Sequence, residues 1–263
     1  VLDVFRTSDA DPDAPDIYEL EAANIFDKAA VDVIKAERQT GKVATLSLGF
    51  GGAVGALMAM AAGYGISLTQ AEAAVIVEAW RSNNSWARRF WNELWEAFLN
   101  SMDNSGTLYT AGRVGFMYDP NYLSGTVFCF LPDGSNLTYP AVKWERKEVE
   151  DKHGVVTEKN VLTYRRGHTR RSLWYGEIAN NVTQGTAGSL LRAALVVAER
   201  EMPDFVVGHT HDEMIGECDD TEQSVADNRA KLLDIMMTNP DWLPDCPLNA
   251  DISDNFYYTK TID

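Results

Sequence analysis

The stretch KAERQTGKVATLSLGFG, residues 35–51, decides how the first part of the chain is expected to fold. Five positions in it are separated by steps of three, four, four and four residues: Lys35, Arg38, Lys42, Leu46 and Phe50. This spacing puts the five side chains on one face of an α-helix, cationic over two turns and apolar over the next two. Such a face could bind a phosphate group and a planar ring, although an amphipathic helix with a solvated basic end has the same pattern.

Helical patterns continue on both sides of this stretch. Apolar residues recur at helical spacing over 17–26, and residues 29–65 predict one or two helices broken near the glycines at 49–55. Two further helices are predicted over 68–102, the first capped by Thr69 and the second rich in aromatic residues. The Asp- and Pro-rich segment before residue 17 is predicted to be a loop outside the core.

The pattern changes near residue 107, where short β-like runs replace the helical ones. These runs are Leu108–Met117, Thr126–Phe130, Leu137–Tyr139, Ala141–Trp144 and Val161–Tyr164. A long helix over about 173–201, a β-hairpin (Phe205–Val207 and Met214–Glu217) and a helix over about 220–238 follow. Helices first and a mixed region afterwards predict an α+β fold with a boundary near 107–112.

The net charge of −16 argues against a protein that binds nucleic acid by general attraction to phosphate. Contacts with nucleic acid would need local basic stripes, for which two candidates exist: Lys35, Arg38 and Lys42, and the group Arg165, Arg166, Arg170 and Arg171. No run approaches 18 uncharged apolar residues, so no membrane span is predicted and a cytoplasmic protein is the default expectation. The three cysteines lack the spacing of metal ligands.

Two constellations besides the cationic helix could carry chemistry. The hairpin tip His209-Thr210-His211-Asp212-Glu213 presents a carboxylate at a tight turn, rigid and wet, as suits a Mg²⁺ ligand; the alternative is a polar turn that favours Asp. In the long helix, Asn180 and Gln184 are one turn apart among small residues, so their amides could read a DNA minor groove. The alternative there is a close crossing with another helix.

Taken in this order, the pieces resemble the family A (Pol I-like) DNA polymerases of bacteriophage type. The fingers helix of that family has Arg, three residues, Lys, seven residues and Tyr-Gly, which Arg38 to Gly51 matches with Phe in place of Tyr. Its Asn-x-x-x-Gln-Gly-Thr-Ala is matched by Asn180 to Ala187, and its His-Asp-Glu by His211 to Glu213. Asp16 to Leu20 and Leu131 to Gly134 are similar to two further family segments.

The resemblance covers nearly the whole chain and implies the C-terminal part of a right-hand polymerase. Residues 1–110 would form helical fingers, with 1–28 leading in from the palm, and residues 111–263 a mixed α/β palm. The implied reaction is template-directed addition of dNTPs to a primer 3′-hydroxyl, with two Mg²⁺ ions held by palm carboxylates. The implied partners are primer–template DNA and dNTPs, without a membrane, in the host cytoplasm if the protein is viral.

The resemblance also implies a role for each matching residue. Asp212 would be a metal ligand, Glu213 a nearby carboxylate, and His211 would lie at the primer terminus. Arg38 and Lys42 would hold the triphosphate, with Lys42 stabilising or protonating the leaving pyrophosphate. The remaining roles are stacking beside the base pair for Phe50, contact with the sugar for Leu46, and minor-groove contacts for Asn180 and Gln184. Because the family has Phe or Tyr where Leu46 stands, altered handling of dideoxynucleotides is expected.

One element of the family pattern is missing. The first catalytic motif, Asp-Tyr-Ser-x-x-Glu, which supplies the other metal-binding aspartate, would lie just before Val1. We therefore expect an N-terminal polymerase chain to provide this aspartate, the thumb and any 3′→5′ exonuclease, either as the partner in a split polymerase or as the other part of a clipped parent. The second carboxylate ligand for magnesium would come from outside the chain, which would be inactive alone.

Two other classes of function remain open at this stage. Residues 205–211 form a predicted strand ending in His209-Thr-His211, as in amidohydrolase-type metal sites, but no histidine follows His211 to complete such a site. A non-catalytic DNA-binding or assembly subunit with the polymerase fold is the second alternative. Arg38, Lys42 and Asp212 together favour the enzyme, since a scaffold needs none of them.

Overall fold

The structure, a computed structural model, describes residues 2–11, 13–150, 156–255, 257 and 258. The α-helices are α1 (Leu2–Ala10), α2 (Ile17–Phe26), α3 (Lys35–Leu48), α4 (Val54–Gly63), α5 (Gln70–Asn83), α6 (Ser85–Asp103), α7 (Tyr175–Glu201) and α8 (Glu222–Met237). A 3₁₀ turn, Ala30–Asp32, lies between α2 and α3.

The strands form three separate antiparallel sheets within the described residues. The strands are β1 (Tyr109–Ala111), β2 (Val114–Asp119), β3 (Thr126–Phe130), β4 (Asn136–Pro140), β5 (Lys143–Glu150), β6 (Val156–Arg166), β7 (Thr169–Leu173), β8 (Val206–Thr210) and β9 (Glu213–Gly216). Strands β1 to β4 follow one another in the first sheet, β5 to β7 in the second, and β8 and β9 form the hairpin. The predicted α+β class is confirmed.

The helical predictions are largely confirmed. Helix α2 has the predicted bounds, and the glycine-rich segment separates α3 from α4. Thr69 caps α5, accepting a hydrogen bond from the backbone N–H of Glu72 at 3.2 Å. The exception is α1, whose residues were predicted as loop. The prediction that Ser8 to Asp16 lies outside the core is confirmed, because none of its described residues is buried.

The change from helices to strands lies where the pattern put it, with β1 beginning at Tyr109. The predicted strands differ from the structure in several places, and β5 (Lys143–Glu150) and β6 (Val156–Arg166) are longer than the runs predicted there. The run 108–117 is divided by a turn at Gly112, whose positive φ of 57° suits glycine. Strand β7, rich in Thr, Arg and Ser, was not predicted, because its pairing with β6 rather than its own composition makes it a strand.

Two compact units divide the chain: Ala10–Thr183, and Val1–Asp9 together with Gln184–Asp263. The first has a core of helices α3 to α6 and the first sheet. In this core Phe98 makes edge-to-face contacts with Phe116 and Tyr139, with ring centroids 5.6 and 5.4 Å apart. The second is centred on Ala198, Met202, Leu232 and Ile235. Division into fingers and palm stays a prediction, because compactness does not test it.

Two further features of the described residues are the apolarity of their helices and the state of their cysteines. None of their helices combines the length and apolarity that crossing a membrane requires. Cys129, Cys218 and Cys246 are free thiols, and burial raises the pKa of Cys129 to about 12.

Candidate functional site

Helix α2 packs directly against α3 at Gly41. A Cβ atom built on Gly41 would lie 2.2 Å from the backbone oxygen of Tyr18 and 2.9 Å from the backbone nitrogen of Ala22, so only glycine fits. The two backbones therefore approach as closely as helices can. This contact puts Tyr18 beside the cationic face of α3.

Arg38 is bound to the start of α2. Its Nε donates a hydrogen bond to Asp16 Oδ2 at 3.0 Å, its Nη2 donates to the same oxygen, and Nε lies 3.9 Å from Glu19 Oε1. The guanidinium also lies over the ring of Tyr18, 5.5 Å from the centroid. Its side chain is still 37% exposed, so an anionic ligand can reach it.

Lys42, one turn after Arg38 and half-buried, is a second cation of this face. Its Nζ lies 5.9 Å from the ring centroid of Tyr18 and 6.0 Å from that of Tyr64, at the distances of cation–π contacts. No carboxylate among the described residues lies within ion-pair distance of Lys42. Two tyrosine rings therefore hold the ammonium group while its charge remains available. Leu46, one turn further on, is 42% exposed.

Phe50 was predicted to continue this helical face, but it lies outside the helix. Helix α3 ends at Leu48, and Phe50 lies in the turn that follows. Gly176, at the start of α7, packs on this turn: a Cβ there would lie 2.2 Å from the Phe50 carbonyl oxygen. The turn after α3 therefore packs on the start of α7 through the backbone of Phe50.

Phe50 and Asn180, which are distant in sequence, both line a cleft of about 340 Å³. It is lined by Phe50, Arg166, Trp174, Gly176, Glu177, Asn180 and Asn181. An aromatic ring, an amide and charges of both signs in one open cleft can stack on a base and bond to its edge. The sequence did not point to Arg166, Trp174 and Glu177 as cleft residues, because only the packing of α7 on the turn after α3 assembles them.

Glu177 is fixed in this cleft from behind. The hydroxyl of the buried Tyr164 donates a hydrogen bond to Glu177 Oε1 at 2.8 Å. Burial, followed by the hydrogen bond and the negative charge of Glu177, raises the pKa of Tyr164 to about 12. Behind the cleft, Tyr175 stacks on Trp91 at 5.9 Å, and Trp91 stacks on Trp80 at 6.0 Å. The start of α7 is therefore rigidly held.

Gln184 lies one turn after Asn180 on α7, so the two amides occupy the same side of this helix. Asn180 is half-buried and Gln184 exposed. The helical spacing on which the minor-groove prediction rests is thus present.

The hairpin tip is shorter than predicted. His209 and Thr210 belong to β8 and Glu213 to β9, leaving His211 and Asp212 as a two-residue turn. His211 has a φ of 53°, the left-handed conformation that such turns require. Asp212 is exposed at the tip.

Asp212 and Glu213 offer the oxygen donors that Mg²⁺ prefers, but not a complete site. No three His, Cys, Asp or Glu side chains in the described part of the chain come close enough together to hold a metal ion. A magnesium site at Asp212 would need ligands beyond these, and so would a zinc site at His209 and His211.

Glu213 has a partner that the sequence did not indicate. The hydroxyl of Tyr258, in the C-terminal tail, donates a hydrogen bond to Glu213 Oε2 at 3.0 Å. This bond is the main cause of the raised pKa of Tyr258. It leaves the second oxygen of Glu213 available.

The chain as a whole, rather than any single residue, can be compared with known proteins. The chain is 29% identical over 262 residues to a DNA polymerase of Bacillus phage SP02. The chain is similar to a viral DNA polymerase. The match takes in 98% of the chain but only 38% of the phage protein, so the chain spans less than two fifths of that relative's length. No family profile matches the chain.

Proposed function

We propose that the chain is the C-terminal, fingers-and-palm part of a bacteriophage-type family A DNA polymerase, which adds dNTPs to a primer 3′-hydroxyl under the direction of a template. The observation that carries this proposal is the similarity to a DNA polymerase along 98% of the chain. The accessible cations of α3 and the cleft that joins Phe50 to Asn180 support it, because a polymerase must bind both a triphosphate and a base.

The nucleotide is bound by the α3 face and the turn that follows it. Lys42 and Arg38 hold the triphosphate, and Lys42 stabilises the charge that develops on the leaving pyrophosphate. Leu46 contacts the sugar, and Phe50 stacks beside the base pair being formed. The two tyrosine rings at Lys42 keep its ammonium group in place without neutralising it.

The primer–template is bound through its minor groove. Asn180 and Gln184 donate hydrogen bonds to base-edge acceptors that every Watson–Crick pair presents there, which checks the shape of the pair rather than its sequence. His211 lies at the primer terminus. Contacts of this kind suit an enzyme that must accept any correctly paired end.

Asp212 binds magnesium, and Glu213 is the second carboxylate nearby. Two Mg²⁺ ions, when bound, stabilise the attacking and leaving oxygens of the phosphoryl transfer. The match covers only 38% of the phage polymerase. This supports the proposal that an N-terminal polymerase polypeptide supplies the other carboxylate ligand, the thumb and any 3′→5′ exonuclease, and acts with this chain in the cytoplasm of the host cell.

Primer extension tests this proposal directly. The chain would be assayed alone and together with the polypeptide encoded immediately upstream, using the parent sequence and Asp212→Asn. We expect extension only from the combination, and a loss of about 10³-fold or more in Asp212→Asn, because metal-stabilised charge contributes several kcal/mol to the transition state. Asp219→Asn, which changes an exposed aspartate seven residues away, is the matched control and should retain full activity.

Each part of the proposal has its own contrary result. Extension by Asp212→Asn at the parent's rate would contradict the assignment of the metal ligand. Extension by the chain alone would contradict the need for a second polypeptide. No template-dependent extension from any combination would contradict the polymerase function itself.

A further inference from the structure

The register of the second sheet separates charges onto its two faces. Residues directly opposite each other in an antiparallel sheet point to the same face. Lys147 lies opposite Lys159, and Arg165 lies opposite Arg170. Because side chains alternate along each strand, these four residues point to the same face as Lys143. We call this face the basic face; its charged residues are Lys143, Glu145, Lys147, Lys159, Arg165 and Arg170.

Side-chain contacts agree with this assignment. Lys147 Nζ lies 3.5 Å from Ser172 Oγ. Ser172 is on β7 and points to the same face of the sheet. Arg170 reaches across β6 to Glu145, with 3.5 Å between Nε and Oε2. The basic face carries five cations and one acid in a chain whose net charge is −16.

The opposite face has a different character. Leu162, Tyr164 and Leu173 on it are buried. Arg166 and Arg171 also belong to this face, and Arg166 lines the cleft described above. The four arginines that the sequence grouped in one basic stripe are thus divided between two faces, because neighbours along a strand alternate in direction.

The basic face keeps two like-charged pairs in directly opposed positions, an arrangement that destabilises a sheet. Glu145 compensates only part of this charge, since its partners are Lys143 at 2.8 Å and Arg170. Lys147, Lys159 and Arg165 have no carboxylate within ion-pair distance among the residues that the structure describes. A polyanion bound to this face would remove the repulsion.

We propose that the basic face binds the sugar–phosphate backbone of a nucleic acid, independently of sequence. The register puts no aromatic residue on this face, so bases have nothing to stack on and phosphates are the groups recognised. Lys159 and Arg165 are six residues apart on β6, about 20 Å. At 3.4 Å per nucleotide, this length spans about six nucleotides of one strand.

The choice of nucleic acid over other polyanions rests on the proposed polymerase function. The basic face adds to that function a contact that is separate from the predicted minor-groove contacts of Asn180 and Gln184. It also explains how a strongly acidic chain can bind DNA: the favourable charge is concentrated on one face of one sheet.

Salt-dependent DNA binding by the chain tests the proposal. Fluorescence anisotropy of labelled duplex and single-stranded DNA would be measured at several salt concentrations for the parent and for the double variant Lys147→Gln/Lys159→Gln. We expect the slope of log K against log salt to be shallower by about 1.8 for duplex DNA and about 1.4 for single strands, as two lost phosphate contacts require.

Arg146→Gln is the matched control, because Arg146 is on the same strand, points to the opposite face and is 79% exposed. It should leave affinity and slope unchanged.

The melting temperature of the double variant should equal or exceed that of the parent, since the variant loses a repulsive pair. Arg165→Gln is a second variant on the basic face, far from the hairpin end, and should lower the duplex slope by about 0.9.

Several results would overturn the proposal. Parental affinity and slope in the double variant and in Arg165→Gln would do so, and would leave primer extension, and hence the polymerase proposal, untouched. A lower melting temperature together with weaker binding would make the lysines structural. If the double variant loses binding to phosphatidylserine vesicles but not to DNA, the ligand is an anionic lipid surface.

Discussion

Arg38 of α3 donates two hydrogen bonds to one carboxylate oxygen of Asp16, 22 residues earlier in the chain. The other oxygen of Asp16 accepts the backbone N–H groups of Tyr18 and Glu19 at 2.9 and 2.8 Å, which caps α2. One carboxylate thus joins the first turn of α2 to the cationic face of α3. This connection holds Arg38 beside the ring of Tyr18, which Lys42 also contacts.

The two roles of Asp16 can be separated by substitution. Asp16→Asn keeps a side-chain oxygen for the cap and loses the ion pair, whereas Asp16→Ala loses both. We expect urea unfolding to show a loss of less than about 1 kcal/mol for Asn, because the ion pair is partly exposed. For Ala the expected loss is about 1–2 kcal/mol, as for other lost N-caps. Equal losses in the two variants would contradict the capping role.

Gly41→Ala tests the close packing of α2 on α3. The added methyl group would overlap the backbone of Tyr18, so we expect a loss of at least about 2 kcal/mol in the free energy of unfolding. Gly55→Ala is the matched control: it is also helical, no atom lies within 4 Å of its Cβ position, and it should gain about 0.4–1 kcal/mol. Tolerance of Gly41→Ala would show that the helices do not pack this way.

Glu21 is a buried carboxyl group at 6% exposure, with Oε2 accepting from Asn84 Nδ2 at 2.9 Å and Oε1 without a partner in the described part of the chain. Burial raises its pKa. A raised folded-state pKa means that its contribution to stability is full below the unfolded-state value and is lost as pH rises through the folded-state value.

Glu21→Gln should therefore stabilise the protein at neutral pH. Chemical unfolding at pH 7 should show a gain of about 1–2 kcal/mol, since an incompletely bonded buried charge is replaced by a neutral amide that can still accept from Asn84. The gain should shrink as the pH falls from the raised folded-state pKa towards 4.5, and should be smallest below 4.5, where the carboxyl group is neutral in both states. Glu78→Gln, on the exposed side of α5, is the control and should show no such pH-dependent gain.

Leu46→Phe tests the contact with the sugar. Leu46 is exposed on α3, so the substitution should change the free energy of unfolding by less than about 0.5 kcal/mol. In the combined polymerase, we expect the ratio of dideoxynucleotide to deoxynucleotide incorporation to change, because a ring would replace an aliphatic side chain beside the 3′ position. A ratio equal to the parent's would refute the role of Leu46.

Much of the fold follows from local signals in the sequence. Helix α2, the glycine break after α3 and the Thr69 cap were predicted because spacing, glycine and capping chemistry act over a few residues. The start of the strands near residue 109 was predicted for the same reason. Strand β7 was missed because its partner strand, and not its own composition, makes it extended.

The candidate site was less accessible from sequence. The motif spacing put Phe50 on the α3 face, but the helix ends two residues earlier, and the Phe50 carbonyl packs against Gly176 at the start of α7. The bond between Arg38 and Asp16, and the hydroxyl of Tyr258 on Glu213, join residues that no local pattern relates. Charge segregation in the second sheet likewise depends on register, which is set by pairing between strands.

In the proposed function, the template base selects the nucleotide that this chain, together with its upstream partner, adds to a primer. The most direct test is a single-turnover incorporation assay with four primer–templates that differ only in the first unpaired template base, each offered all four dNTPs. We expect the added nucleotide to be complementary to the template base in every case, and we expect Arg38→Gln and Lys42→Gln to weaken its binding. Addition of the same nucleotide on all four templates, or no addition at all, would contradict it.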